Sequence, residues 1–251
     1  VCSSDLSRIG FKQAISAMID GAKSSIAVTA ACGAAGLIIA GIMSTGLGGK
    51  LTSIVLGLTD GYLIPTLILS MLICIILGMG MPVAAAYILT AMLAAPALIE
   101  LGISQMQAHL FIVYYSIFSA ITPPVAVAAY AAAAIAGENP NRVGFDAVRL
   151  GIIGFIIPFM FVLQPALLLQ ATGVEIIWSV LIASIGVYAL SSGTVGWLLT
   201  STNLMERILL LLSGSLFIYP NLLLHVIGLI LIALVFFMQH RRRAVHPITT
   251  Q

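Results

Sequence analysis

The sequence predicts an all-α membrane protein with multiple transmembrane helices, one re-entrant helical hairpin and one broken helix. Three observations carry that reading. Of the 251 residues, 61% are hydrophobic and 7% are charged, with mean hydropathy +1.18. A soluble domain carries roughly 25% charged residues, so the charges here are too few to cover a water-facing surface. Apolar runs recur at lengths near the about 20 residues that cross about 30 Å of hydrocarbon. Two of these runs are interrupted by Gly/Pro breaks that hold no charged residue.

The opening Val1-Cys2-Ser3-Ser4-Asp5-Leu6 resembles a translated sequencing adapter, and residues 1–6 are set aside as a scar. Residues 7–25 place Ile15, Met18 and Ile19 at helical spacing between Lys12 and Lys23, the pattern of a short interfacial connecting helix. Residues 26–46 form a first spanning candidate. Its many Ala and Gly residues favour close approach of another helix, and Gly46, Gly48 and Gly49 end it.

Residues 62–77 and 83–98 are two apolar arms around Gly78-Met79-Gly80-Met81-Pro82. Each arm is about 24 Å long as a helix. Two short arms about a break predict a re-entrant hairpin with its tip at membrane depth, the alternative being a kinked pair of ordinary helices. A polar loop is expected over 100–109. The run 110–120 is then broken at Thr122-Pro123-Pro124, because each proline lacks a backbone donor and clashes with the preceding turn. An Ala-rich run, 125–136, continues the broken helix. Residues 137–145 read as an exposed loop and 146–170 as one long span containing Pro158 and Pro165. Residues 175–190, 208–219 and 222–238 are further apolar runs, with a more polar patch at 191–207. Arg241-Arg242-Arg243 flanks the last run, which places the C-terminus on the cytoplasmic side. The expected organisation is a connecting helix over 7–25, a transport and scaffold region over 26–170, and additional helices with a basic tail over 171–251.

Several chemistries find no support. Ten Lys and Arg against eight Asp and Glu give a formal charge of +2 and no nucleic-acid footprint. Cys2, Cys32 and Cys74 form neither a disulfide framework nor a metal spacing. No zinc-protease, nucleophile-elbow or Walker A pattern occurs. His109 and His225 are single residues near expected interfaces, and Asp60, Glu100 and Asp146 are expected at segment ends, solvated. No enzyme activity, no transition metal and no organic cofactor are expected. What remains is the pair of breaks. Broken helices expose N–H groups that suit an anion, while unwound carbonyls and hydroxyls suit a hard cation such as Na⁺.

The runs Leu77-Gly-Met-Gly-Met-Pro-Val-Ala-Ala-Ala-Tyr-Ile-Leu89, Ala95-Pro96-Ala97-Leu98, Ile121-Thr-Pro-Pro-Val-Ala126 and Phe145-Asp-Ala-Val-Arg-Leu-Gly151 resemble the large membrane subunit of TRAP transporters. The likeness is nearest to the fused permeases that work with TAXI-type binding proteins, and it runs from about Ala14 to about Leu169. The resemblance implies an elevator-type ion-transporter architecture, sodium-driven symport of a small organic anion such as a carboxylate, and location in the bacterial or archaeal inner membrane. The implied partners are a periplasmic TAXI-type binding protein, a small membrane subunit or fused N-terminal helices, and the lipid bilayer. Carried over residue by residue, the implied sodium ligands are Gly78, Ser119, Thr122 and Val125. Gly80, Pro82, Pro123 and Pro124 are expected near the substrate. Ala120 stands where relatives of the TAXI type often carry a polar residue. A first repeat with its own sodium site is expected upstream of this chain, which by itself is not expected to transport. The alternative reading is a binding-protein-independent sodium–anion symporter or a channel subunit.

Overall fold

A computed structural model describes residues 10–245; the presumed scar at 1–6 lies outside the described residues. Among them no β-strand occurs, and they form a succession of eleven α-helices. Helix α1 (Phe11–Thr45) is 35 residues long and continuous. The expected boundary near residue 25 is therefore not a helix boundary. The segment there holds no proline, and the hydroxyls of Ser25 and Thr29 donate to carbonyls one turn back, so they stay within the helix ladder. Gly46, at φ +65°, closes α1 with its N–H on the Ile42 and Met43 carbonyls, a left-handed cap that suits glycine. Helix α2 (Leu47–Leu58) follows at once.

Helices α3 (Leu63–Gly78) and α4 (Val83–Glu100) are the two hairpin arms, in contact along their length. Helix α5 (Gln105–Phe118) starts within the stretch expected as a loop. The signal is local: the Ser104 hydroxyl accepts from the Gln107 N–H, and the Gln107 side chain accepts from the Ser104 N–H. Helix α6 (Val127–Ala136) resumes after the Pro-Pro break.

Two further expectations are corrected. The exposed loop 137–145 is mostly helix, since α7 (Pro140–Gly151) begins at Pro140 with the Asn139 side chain capping the N–H groups of Asn141 and Arg142. Asn before Pro at the first helical position is a start signal. Asp146 consequently lies within α7 and not at a segment end, although it is exposed. The single span expected over 146–170 is instead α7, a 3₁₀ turn (Ile152–Phe155), α8 (Ile157–Leu163) and a second 3₁₀ turn (Pro165–Leu168). Pro158 and Pro165 sit at the starts of the short pieces, where a missing N–H costs nothing. Helices α9 (Gly173–Val195), α10 (Leu204–Leu216) and α11 (Leu222–Val245) complete the chain.

Among the described residues, five helical stretches are long and apolar enough to cross a membrane: Phe11–Thr45, Val83–Glu100, Pro140–Leu163, Gly173–Val195 and Leu222–Arg242. Two packing units emerge. In the first, α3, α4, α5 and α8 enclose Leu67, Leu98, Phe111, Ile112 and Tyr115, all fully buried. The Tyr115 hydroxyl donates to the Phe155 carbonyl at 2.6 Å, which satisfies a group freed by the 3₁₀ turn. In the second, α9, α10 and α11 pack closely because small residues face bulky ones. A methyl added at Gly214 would stand 2.4 Å from Leu190 Cγ, and one at Gly186 would stand 2.7 Å from Phe217 Cβ.

Amide side chains bind α5 to α8 within the first unit and bind the first unit to the second. Gln107 Nε2 donates to the Phe161 and Val162 carbonyls, and Gln164 Nε2 to those of Phe217 and Ile218. Ser104 donates to Gln170 at 3.4 Å. The base of the hairpin thus lies beside the turn that precedes α9. At the other end of α9, the guanidinium of Arg207 on α10 donates to the Gly193 and Thr194 carbonyls. The 23 residues of α9 measure about 35 Å, so hairpin base and C-terminal basic cluster lie on opposite faces of the layer.

Candidate functional site

The two breaks form for different local reasons. Helix α3 stops at Gly78 because Gly80 follows at φ +76°, a conformation that L side chains rarely adopt, and Pro82 then fixes the start of α4. Helix α5 stops at Phe118 because Pro123 and Pro124, joined by a cis peptide bond, cannot continue the ladder. Between α5 and α6 the chain makes tight turns: the Ile121 N–H donates to the Phe118 carbonyl, and the Ala128 N–H reaches back to the Ala120 carbonyl at 2.9 Å.

The breaks touch. A methyl built on Gly78 would stand 2.6 Å from Ser119 Oγ, so only glycine allows the hairpin tip this close to the helix break. A methyl on Gly80 would stand 3.4 Å from Val125 Cγ1. Ser119 is buried, and its hydroxyl donates to the Ser116 carbonyl at 2.7 Å. Thr122, half-buried, donates its hydroxyl to the Phe118 carbonyl at 2.7 Å, which leaves lone pairs on its oxygen. Behind the contact, the buried hydroxyls of Thr90 on α4 and Ser116 on α5 pair at 3.1 Å. That pair, which sequence reasoning passed over, ties a hairpin arm to the broken helix. Thr90 and Ser116 lie in different apolar runs, so no spacing within either run marks it.

The structure therefore brings Gly78 to Ser119 and Gly80 to Val125. Pro123 lies on the other side of the break, with its ring against Gly144 of α7. Pro124 is exposed, and its carbonyl accepts from the Tyr130 hydroxyl at 2.7 Å. Pro82 is the N-cap of α4. Neither Pro82 nor Ala126, the residues that precede α4 and α6, supplies a side-chain cap, so the N–H groups opening both half-helices are uncapped by side chains. The groups that meet at this contact are backbone dipoles and hydroxyls. They can coordinate a hard cation through oxygen and an anion through N–H, and none carries a fixed charge.

Other candidates fall away from this contact. His109 bonds to the Tyr87 hydroxyl at 3.1 Å, and His225 Nε2 faces the Tyr219 carbonyl at 2.9 Å. No group of three or more His, Cys, Asp and Glu that could hold a metal ion occurs among the described residues. A polar knot in the second unit was also missed: Glu206, 1% exposed, accepts from Gln239 Nε2 at 2.9 Å and pairs with Arg242. Gln239 Oε1 accepts from the Leu199 and Thr200 N–H groups. Its components are dispersed over 40 residues and lie in what reads as a polar patch and a basic flank.

Helices of this length and composition make a multi-pass integral membrane protein, and a hairpin tip that meets a broken helix is an arrangement found in secondary transporters. The family model described as tripartite ATP-independent periplasmic transporter, DctM component, matches residues 6–176, and the chain belongs to that family. Membership makes it a membrane permease component of such a transporter, and implies a substrate-binding protein and a small membrane subunit as partners. The comparisons with curated proteins and with solved structures return no match. The matched region ends at the start of α9, so α10 and α11, together with most of α9, lie beyond it.

Proposed function

We propose that this chain is a sodium-coupled permease of the TAXI-associated, fused type, which imports a small organic anion such as a carboxylate by an elevator motion. The observation that carries the reading is the contact of Gly78 with Ser119 at two uncharged helix breaks. Sodium is held by the Gly78, Ser119 and Val125 carbonyls and by Thr122 through its hydroxyl oxygen. The N-termini of α4 and α6, which no side chain caps and which lie near Gly80, Pro82, Pro123 and Pro124, face the anion, the Ala128 N–H being taken up by the Ala120 carbonyl. Holding both ions with dipoles avoids the cost of a fixed charge at membrane depth. The hairpin is re-entrant from the face opposite the basic cluster. Arg241-Arg242-Arg243 keeps the C-terminus in the cytoplasm and the chain in the inner membrane.

Sodium binding is tested on the chain itself in detergent, by thermal unfolding in NaCl against choline chloride at equal ionic strength. A ligand that binds only the folded state at about 100 times its Kd adds about 2.7 kcal/mol of stability. The expected result is a sodium-specific rise in Tm. In the Thr122→Ala variant the sodium concentration for half the rise increases about tenfold, as loss of one ligand group implies. Equal Tm in both salts, or an unchanged sodium dependence in Thr122→Ala, overturns the site. Uptake into proteoliposomes containing the full fused permease and a TAXI-type binding protein then tests coupling.

A further inference from the structure

We infer that the outer face of α11 carries a site for an anionic phospholipid, with the headgroup phosphate on Arg241 and an acyl chain in the groove above it. The groove has a volume of about 510 Å³ and is lined by Leu229, Ile232, Ala233, Phe236, Phe237 and His240. These positions recur at the spacing of one helix face. Ala233 in the middle provides the concavity, with larger side chains around it.

The chemistry of the groove's end selects the occupant. Arg241 lies over the Phe237 ring, 5.1 Å from its centroid, and meets no carboxylate among the described residues. The next residue differs. Arg242 turns inward to Glu206, with further bonds to Asn203 Oδ1 and the Ser201 carbonyl. Adjacent residues on a helix point about 100° apart, so one arginine closes the bundle while the other faces outward at the end of the groove. His240, exposed, adds a donor beside it.

Height favours a lipid over a protein segment. The apolar span of α11 runs Leu222–Arg242, 21 residues, about 32 Å long. His240 and Arg241 thus stand at the level where phosphates begin, and the groove lies at acyl-chain depth. A phospholipid of net negative charge satisfies the guanidinium and the groove together. A zwitterionic lipid fills the groove equally but brings its own cation. The site lies on a helix beyond the region matched by the family model, and it is independent of the sodium proposal.

Native mass spectrometry of the chain in detergent, equilibrated with equal amounts of phosphatidylglycerol and phosphatidylcholine of identical chains, tests this. One basic side chain near a phosphate is expected to give about a fivefold preference for phosphatidylglycerol. Arg241→Gln removes the preference, Arg241→Lys keeps it, and Ala233→Trp, which fills the groove, lowers retention of both lipids. Equal retention of the two lipids by the unaltered chain overturns the proposal. So does a preference that survives Arg241→Gln, or retention of both lipids unchanged by Ala233→Trp. A dimer in the same spectra that Ala233→Trp dissolves also overturns it, by assigning the groove to a second copy of the chain.

Discussion

Gly78 has the tightest requirement of any residue at the candidate site. Its α-carbon faces Ser119 Oγ so closely that any side chain must displace the hairpin tip or the helix break. Gly78→Ala is expected to lower stability by about 1–3 kcal/mol, the usual cost of overpacking, read as a drop in Tm in detergent. It is also expected to weaken the sodium-dependent rise in Tm, because the carbonyl it carries moves with the tip. Gly78→Ala with Ser119→Gly should recover part of the stability, since the clashing hydroxyl is gone. The sequence made Gly78 and Ser119 visible as breakers and as a family pattern. It could not show that the two sit in contact, because 41 residues separate them and nothing in either run encodes the distance. Thr90 and Ser116 illustrate the same limit: each reads as an ordinary hydroxyl bonded to its own helix, and their pairing exists only in the packed hairpin.

At the scale of elements, the arms, the Pro-Pro break and the apolar runs were legible because each has a strong local cause. The boundaries that moved did so where weaker local signals prevailed over hydropathy. Ser104 with Gln107 started α5 inside a polar stretch, and Asn139-Pro140 started α7 inside an expected loop. The span expected over 146–170 is present as Pro140–Leu163 but in pieces, because hydropathy reports burial while prolines set where helical segments restart. The C-terminal three-helix unit depends on Gly186 and Gly214, which let α9 and α10 approach closely. Gly214→Ala is expected to cost about 1–3 kcal/mol and to loosen this unit while leaving the Thr90–Ser116 contact intact. Limited proteolysis between residues 196 and 203, compared with cleavage in the 101–104 loop, reads the two units separately: the first should accelerate and the second should not.

Across the whole molecule, the base of the hairpin and the basic end of α11 lie about one α9 length apart, on opposite faces. Single cysteines placed at Gln170 and at His240, in a background with Cys2, Cys32 and Cys74 replaced, should react with a membrane-impermeant maleimide from opposite sides of oriented vesicles. Labelling of both from one side would contradict the stacking of units described above. The Glu206–Arg242 pair has a consequence for how that arrangement arises. Carboxylate and guanidinium come from neighbouring helices that run in opposite directions, so they meet only if α10 and α11 have each been threaded the right way round. A copy of α11 inserted upside down would leave the carboxylate of Glu206, 1% exposed, without its cation, a cost of several kcal/mol. The knot thus distinguishes the two threadings energetically: the ion pair forms only when α10 and α11 run in opposite directions.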